Sequence, residues 1–488
     1  MKLLVLGIDA GVKKVFETFE MPFLQSKLSK GVIIKTTEDI VTRGWVKSYT
    51  GKSAEANLGF YEYPIIDKEG YQWSKSFNQN HLKKTGVKPL WESLKENDIS
   101  SGFMNIPTTS PAPEIKGFFI SGGGGGKELK NGFDASICFP ESYTEVLNSN
   151  DYILDERVPS LVWEKGLEKY NVFFEKLIEM TEKRILTYIE LYKKEPVDFG
   201  FLVIRSVAVV HYLAMSEIDN FCNLNIPINN ELLDNLKIFY KKLDGSIEKL
   251  FLSLNPENYI IFADHGISTL NESININKFL SSNGFQKPIV SKNSSKKIIN
   301  KMKHLIPYKL RRKIKRSASF KEYYMSMISF ETKNTKAFSR GAVNGIYIND
   351  ESRFNGSVKA EEADQIIDEI ISSINNNYEF KKRQITAKRF RKEHDSSKKY
   401  YNYLPDIVLT NIKGLRFTEV GNKVFLKNEF VNKPYNLKDV KDDNWTGVKD
   451  SETLLAVSKK LHKKAEDLVK DDNDLTLVYQ LIKRNFNI

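Results

Sequence analysis

Residues 3–8, LLVLGI, run apolar without a break. A strand with one wet face alternates apolar and polar side chains, so an uninterrupted run has to be buried on both faces, as in a parallel sheet covered on each side. Similar runs occur at Phe118–Ile120, Phe199–Ile204, Tyr259–Phe262 and in PDIVL, 405–409. Helical periodicity separates them. Phe174, Leu177, Ile178, Ile185, Tyr188, Ile189 and Tyr192 fall at three- and four-residue steps within 167–192, and Pro196 ends the pattern. Leu236, Phe239, Tyr240 and Leu243 do the same within 231–252, as do Ala363, Ile366, Ile367, Ile370, Ile371 and Ile374 within 360–374. Strands alternating with helices predict an α/β fold, a doubly wound, mostly parallel sheet flanked by helices.

A chain of 488 residues has room for such a sheet with an insertion. Two segments break the alternation. One, 291–317, carries ten Lys or Arg between 296 and 316 and no acid; the other, 381–399, is also basic. The expected division is a core over 1–290, a basic helical lid or cap over 291–335, and a second part of the core over 336–488. The formal charge is +12. Lysine is abundant throughout, so a solvated surface accounts for the two runs, with a positive rim for anionic substrates as the functional reading. No nucleic-acid-binding motif accompanies the charge. Two cysteines, Cys138 and Cys222, make no disulfide framework and suit a reducing compartment. The first apolar run is too short for a signal peptide, and 199–215, with Arg205 and His211, falls short of the ~20 residues of a membrane span. These features predict a cytoplasmic protein without a transmembrane segment; peripheral membrane contact stays open.

In an open parallel sheet, ligands bind beyond the carboxyl ends of the strands. Asp9 ends the first run, and Asp264 with His265 ends the fourth, so topology delivers three metal-type side chains to one edge. Carboxylates with an imidazole suit zinc first and manganese second. Gly266 is expected to keep a Cβ away from the ion. SGGGGGK, 121–127, lacks the ending and spacing of a phosphate loop and reads as a strand-end loop.

The segments LLVLGIDAG, TRGWVKSYTGKSAEANLGFYEYP (42–64), NIPTTSPAPEIKGFFISG (105–122), VDFGFLVIRSVAVVHYL (197–213) and IIFADHGIS (260–268) stand in a telling order. INKFLSSNGF (276–285), AFSRGAVNGIYIND (337–350) and PDIVL continue it. The set resembles the type I phosphodiesterase/nucleotide pyrophosphatase family of the alkaline phosphatase superfamily. The resemblance implies a Thr or Ser nucleophile activated by a metal. Thr42 matches that position, one residue closer than usual to Thr50–Gly51 and with Arg43 in place of a proline; Ser48 is the reserve. The family's first metal set maps onto Asp9, Thr42, Asp264 and His265. The second set keeps only His211, because Val207 replaces its aspartate and Lys449 its late histidine; among the other histidines, His394 is the nearest substitute.

The resemblance therefore implies a hydrolase or transferase with one divalent metal. Its substrate would be a phosphoester, phosphodiester or sulfoester, whether a small molecule or glycan- or lipid-linked. In this reading Lys449 stabilises charge where a second ion would stand, and His211 contacts substrate. The alternative is a catalytically retired member acting as a ligand-binding or scaffold protein. A nucleic-acid binder using the two basic runs comes third.

Overall fold

The computed structural model describes residues 1–39, 41–67, 70–74, 77–122, 128–129, 132–155, 162, 166–288, 330–341, 343–419, 421–437 and 445–488. The 291–317 run and most of SGGGGGK lie outside the described residues, as does most of the expected 291–335 insertion. The main sheet contains β1 (Leu3–Ile8), β2 (Gly31–Ile33), β3 (Ser101–Ile106), β4 (Gly117–Ser121), β5 (Cys138–Phe139), β6 (Phe199–Ile204), β7 (Asn258–Phe262) and β8 (Leu455–Ser458). Their spatial order is β5-β4-β3-β6-β1-β7-β8-β2. From β4 to β7 the neighbours are parallel, whereas β8 and β5 run antiparallel to β7 and β4. Strand β1 sits centrally, with Gly7 level with Val203 on one side and Phe262 on the other.

Burial on both faces is what made LLVLGI uninterrupted. Leu4, Leu6 and Ile8 enter one core, packed with helices Tyr170–Lys194 and Asn230–Leu254. Leu3 and Val5 enter the other, with Trp45 of helix Gly44–Thr50 and Leu477, Val478 and Leu481 of helix Thr476–Phe486. The three helical periodicities are realised as Tyr170–Lys194, Asn230–Leu254 and Ala363–Asn376. The side chain of Asn229 accepts from the Leu232 amide and caps the second of these.

PDIVL departs from expectation. Ile407–Thr410 belongs to a separate four-stranded antiparallel sheet with Ala337–Arg340, Gly345–Ile348 and Thr386–Arg389. Ile407 and Leu409 face a third core beneath helix Ala363–Asn376, and Val408 faces the second core of the main sheet. An antiparallel strand sandwiched this way produces the same apolar run as a parallel one. Strand β3 carries no such run, because Ser101, Gly102 and Asn105 interrupt its apolar character, although all six of its residues are buried. Among the described residues, no helix is long and apolar enough to cross a membrane.

Candidate active site

A cavity of about 180 Å³ lies at the carboxyl ends of β1, β3, β6 and β7. Each strand delivers its next residues there: Asp9 after β1, Pro107 and Thr108 after β3, Arg205 after β6, Asp264 and His265 after β7. Asp9 and Arg205 are side by side because the sheet continues one bond past the strands, the Asp9 amide donating to the Ile204 carbonyl at 3.0 Å.

Asp9, Asp264 and His265 are all buried, and one ligating atom from each lies within 4.8 Å of the other two. His265 Nε2 is 3.9 Å from Asp9 Oδ1 and 3.6 Å from Asp264 Oδ2. Atoms each bound at ~2.0–2.2 Å to one cation lie within about 4.4 Å of each other, so these spacings fit a shared ion. Two further observations agree. Asp264 Oδ1 is buried with no hydrogen-bond partner among the described residues. The His265 Nδ1–H donates to the Gly266 carbonyl at 2.7 Å, which directs the Nε2 lone pair toward the carboxylates. Burial, reinforced by the nearby Lys449 ammonium, lowers His265 to about 4, leaving a neutral imidazole fit to ligate. Burial and the Asp9 charge push the Asp264 carboxyl well above the carboxylate range, a cost that a cation relieves.

Gly266 has a different reason from the expected one. A Cβ there would lie 1.8 Å from the Glu452 carbonyl oxygen, so the crowding comes from neighbouring backbone and not from an ion. Strand Gly266–Thr269 pairs with Gly447–Asp450, setting Lys449 opposite Ile267 and so beside the triad. Lys449 Nζ sits 3.4 Å from the Tyr61 ring centroid, and burial lowers its pKa to about 8 despite the pull of Asp264.

Three residues that the sequence reading did not assign a role complete the charge pattern. Arg205 donates from Nε to Asp9 Oδ2 at 3.0 Å and from Nη1 to Asp155 Oδ2 at 2.9 Å. Arg43 donates to the carbonyls of Phe60 (2.8 Å) and Tyr61 (3.3 Å). Tyr212 lines the cavity with its hydroxyl 3.5 Å from His265 Nε2. Arg43 and Arg205 were legible as strand-end or helix-start positions, but a lone arginine carries no motif.

Thr42 is not among the residues lining this cavity. It is 3% exposed, and its hydroxyl donates to Asp39 Oδ2 at 2.9 Å while its amide donates to Asp39 Oδ1 at 2.7 Å. Ser48 is fully buried and donates to the Trp45 carbonyl within its helix. His211 is a satisfied core histidine, Nδ1 facing the Ala10 carbonyl at 2.8 Å and Nε2 the Tyr240 hydroxyl at 2.6 Å. Neither ring nitrogen is left for a substrate, and burial lowers its pKa to about 4. Val207 is buried in the first core. His394 contacts Glu55 at 3.1 Å and does not line the cavity. The basic 381–399 run is largely neutralised on the spot, Arg383 pairing with Glu272 and Glu379, and Arg389 with Asp364 and Asp368.

Comparison with solved structures finds similar chains. Phosphonoacetate hydrolase from Sinorhizobium meliloti 1021, in complex with phosphonoacetate, is 8% identical with a TM-score of 0.52, over 99% of this chain and 96% of that one. Murine ectonucleotide pyrophosphatase/phosphodiesterase 5 is 13% identical with a TM-score of 0.46, over 100% of this chain and 95% of that one. No curated protein matches the sequence significantly. The first likeness supports an alkaline phosphatase-like fold. A sequence model described as type I phosphodiesterase/nucleotide pyrophosphatase matches residues 3–436, and the chain belongs to that family of phosphoester hydrolases.

Proposed function

We propose that the protein hydrolyses a phosphate ester at the cavity beyond β1, β6 and β7, with one divalent cation held by Asp9, Asp264 and His265. The observation that carries the reading is the convergence of these three buried ligands, with Asp264 Oδ1 lacking a partner among the described residues. Zinc suits the mixed nitrogen and oxygen donors, and manganese is the second choice. When bound, the ion supplies Lewis-acid charge beside the phosphoryl group.

The chain's own residues do the rest. Arg43, Arg205 and Lys449 face the cavity as fixed donors for nonbridging oxygens or the departing oxygen, and their anchoring means little reorganisation during reaction. The phenols of Tyr61 and Tyr212 stay protonated, since burial raises both well above their usual value, and they add neutral donors. Thr42 is the proposed nucleophile, adjacent in sequence to the cavity-lining Arg43. Asp39 and, behind it, Lys47 at 2.6 Å orient its hydroxyl. To attack, Thr42 Oγ has to turn away from Asp39 toward the cavity, giving up a charge-assisted hydrogen bond worth roughly 1.5–3 kcal/mol. That cost favours a second reading at this one step, in which water attacks directly and Thr42 is structural.

Metal analysis combined with turnover of 4-nitrophenyl phosphate tests the proposal. The purified, metal-replete chain is expected to retain about one ion. Asp264→Asn should lose both the ion and at least about 100-fold in kcat/KM. A wild-type chain that retains no ion, or an Asp264→Asn variant of unchanged turnover, overturns it. A wild-type chain that binds the ion without turnover supports the retired-enzyme alternative.

A further inference from the structure

The cavity wall carries more positive charge than its own carboxylates balance. Arg43, Arg205 and Lys449 stand against Asp9 and Asp264. Asp155 pairs with Arg205 from behind. Among the described residues, no carboxylate lies within ion-pair distance of Arg43 or Lys449; the first is tied to two carbonyls and the second lies over the Tyr61 ring. Partly buried cations without counter-ions are costly unless a ligand supplies the charge. A further donor has no partner: Trp45 lines the cavity, is 5% exposed, and its Nε1–H finds no acceptor among the described residues.

Charge arithmetic then selects the ligand. The three cations and two carboxylates leave one positive charge, which Asp155 cancels. A divalent ion on the triad raises the total to two. A phosphate monoester is a dianion above neutral pH and brings the site to neutrality. A phosphodiester or a sulfate ester carries a single negative charge and leaves the site charged. The three cations line one cavity of about 180 Å³, so their charge acts on the group that enters it.

We infer that this site selects a phosphomonoester or phosphonate dianion over a phosphodiester or sulfate-ester monoanion, with Arg43, Arg205 and Lys449 as the specificity-determining wall. The inference rests on the proposed single-ion site. The two guanidiniums remain charged at every accessible pH, so the preference does not depend on the protonation of Lys449 alone.

The test compares two inert, nearly isosteric anions, phenylphosphonate (a dianion at pH 8) and phenylsulfonate (a monoanion), by calorimetric titration of the metal-loaded chain. Phenylphosphonate is expected to bind at least about tenfold more tightly. Arg43→Gln and Lys449→Met should each narrow that gap with metal content unchanged, while Lys449→Arg should retain it. Equal affinities in a wild-type chain that holds its ion would overturn this inference and leave the hydrolase proposal standing. A gap untouched in the Arg43→Gln, Lys449→Met double variant would do the same. Failure of the wild-type chain to retain any ion overturns both.

Discussion

At the level of single residues, backbone crowding explains the site better than ligand motifs do. Gly44 opens the helix that follows Thr42, and a Cβ there would lie 2.1 Å from the Asp264 carbonyl oxygen. Only glycine lets this helix start approach the β7 loop so closely, and the contact holds Asp264 in place. Gly44→Ala is expected to destabilise the protein by about 1–3 kcal/mol and to reduce metal retention, read by denaturant midpoint and metal analysis. Thr42 poses the sharper question. Thr42→Ala should abolish turnover of 4-nitrophenyl phosphate with the ion retained, and Thr42→Ser should keep part of it. Unchanged turnover in Thr42→Ala would pass the attack to water. The convergence of Asp9, Asp264 and His265 was legible in the sequence because a rule of topology places strand-end residues at one edge. The tie between Thr42 and Asp39 was not, since the direction of a hydroxyl depends on the packing of Lys47, whose ammonium lies 2.6 Å from Asp39 and 2.8 Å from Glu38.

Among the elements, helix Gly44–Thr50 is held against the chain around it by that same buried ammonium. Three carboxylates share Lys47, with Asp474 the most distant at 3.7 Å, and the fates of Glu38 and Asp39 diverge. At Asp39 burial is the largest single effect, but the Lys47 charge and the hydrogen bonds from Lys47 and Thr42 together outweigh it and hold the carboxyl below its usual value. Burial and the Asp39 charge instead raise Glu38 to about 7, although Lys47 opposes them and the Leu475 amide also donates to it. A carboxyl whose folded pKa exceeds its unfolded one binds more protons when folded, so stability falls as pH rises between the two values. Glu38 should therefore cost the fold stability progressively from about pH 4.5 to about pH 7, up to roughly 3 kcal/mol, and nothing further above that. Unfolding midpoints across this range, compared between wild type and Glu38→Gln, check it; the variant should lose that part of the slope, and an identical slope in both would refute the assignment. Element types were readable from periodicity wherever burial was uniform along a face. They were not readable at β3, where small and polar residues occupy positions that neighbouring strands cover.

For the whole molecule, a buried charge cluster ties the antiparallel sheet to the distant segments that carry Glu62 and Glu419. Arg340, at the end of strand Ala337–Arg340, donates to Glu62 at 2.7 Å and to Glu419 at 3.1 Å, with all three side chains at most 13% exposed. Removing Arg340 takes the shared cation away from two buried carboxylates. Arg340→Met is expected to cost about 3–5 kcal/mol by denaturant unfolding, and a loss under 1 kcal/mol would show the cluster to be dispensable. The 405–409 run shows why architecture at this scale escapes one-dimensional reading: burial on both faces says that a strand is sandwiched, not which sheet it joins. The amino-acid order by itself determined the alternation of strands and helices, the doubly wound class and the carboxyl-edge location of Asp9, Asp264 and His265, because these follow from local periodicity and chain direction. Only the tertiary structure decided that His211 is spent in the core, that Thr42 faces Asp39, and that Arg43, Arg205 and Lys449 share one cavity. Those outcomes depend on which distant side chains meet at hydrogen-bond range, and no local pattern in the chain encodes such meetings.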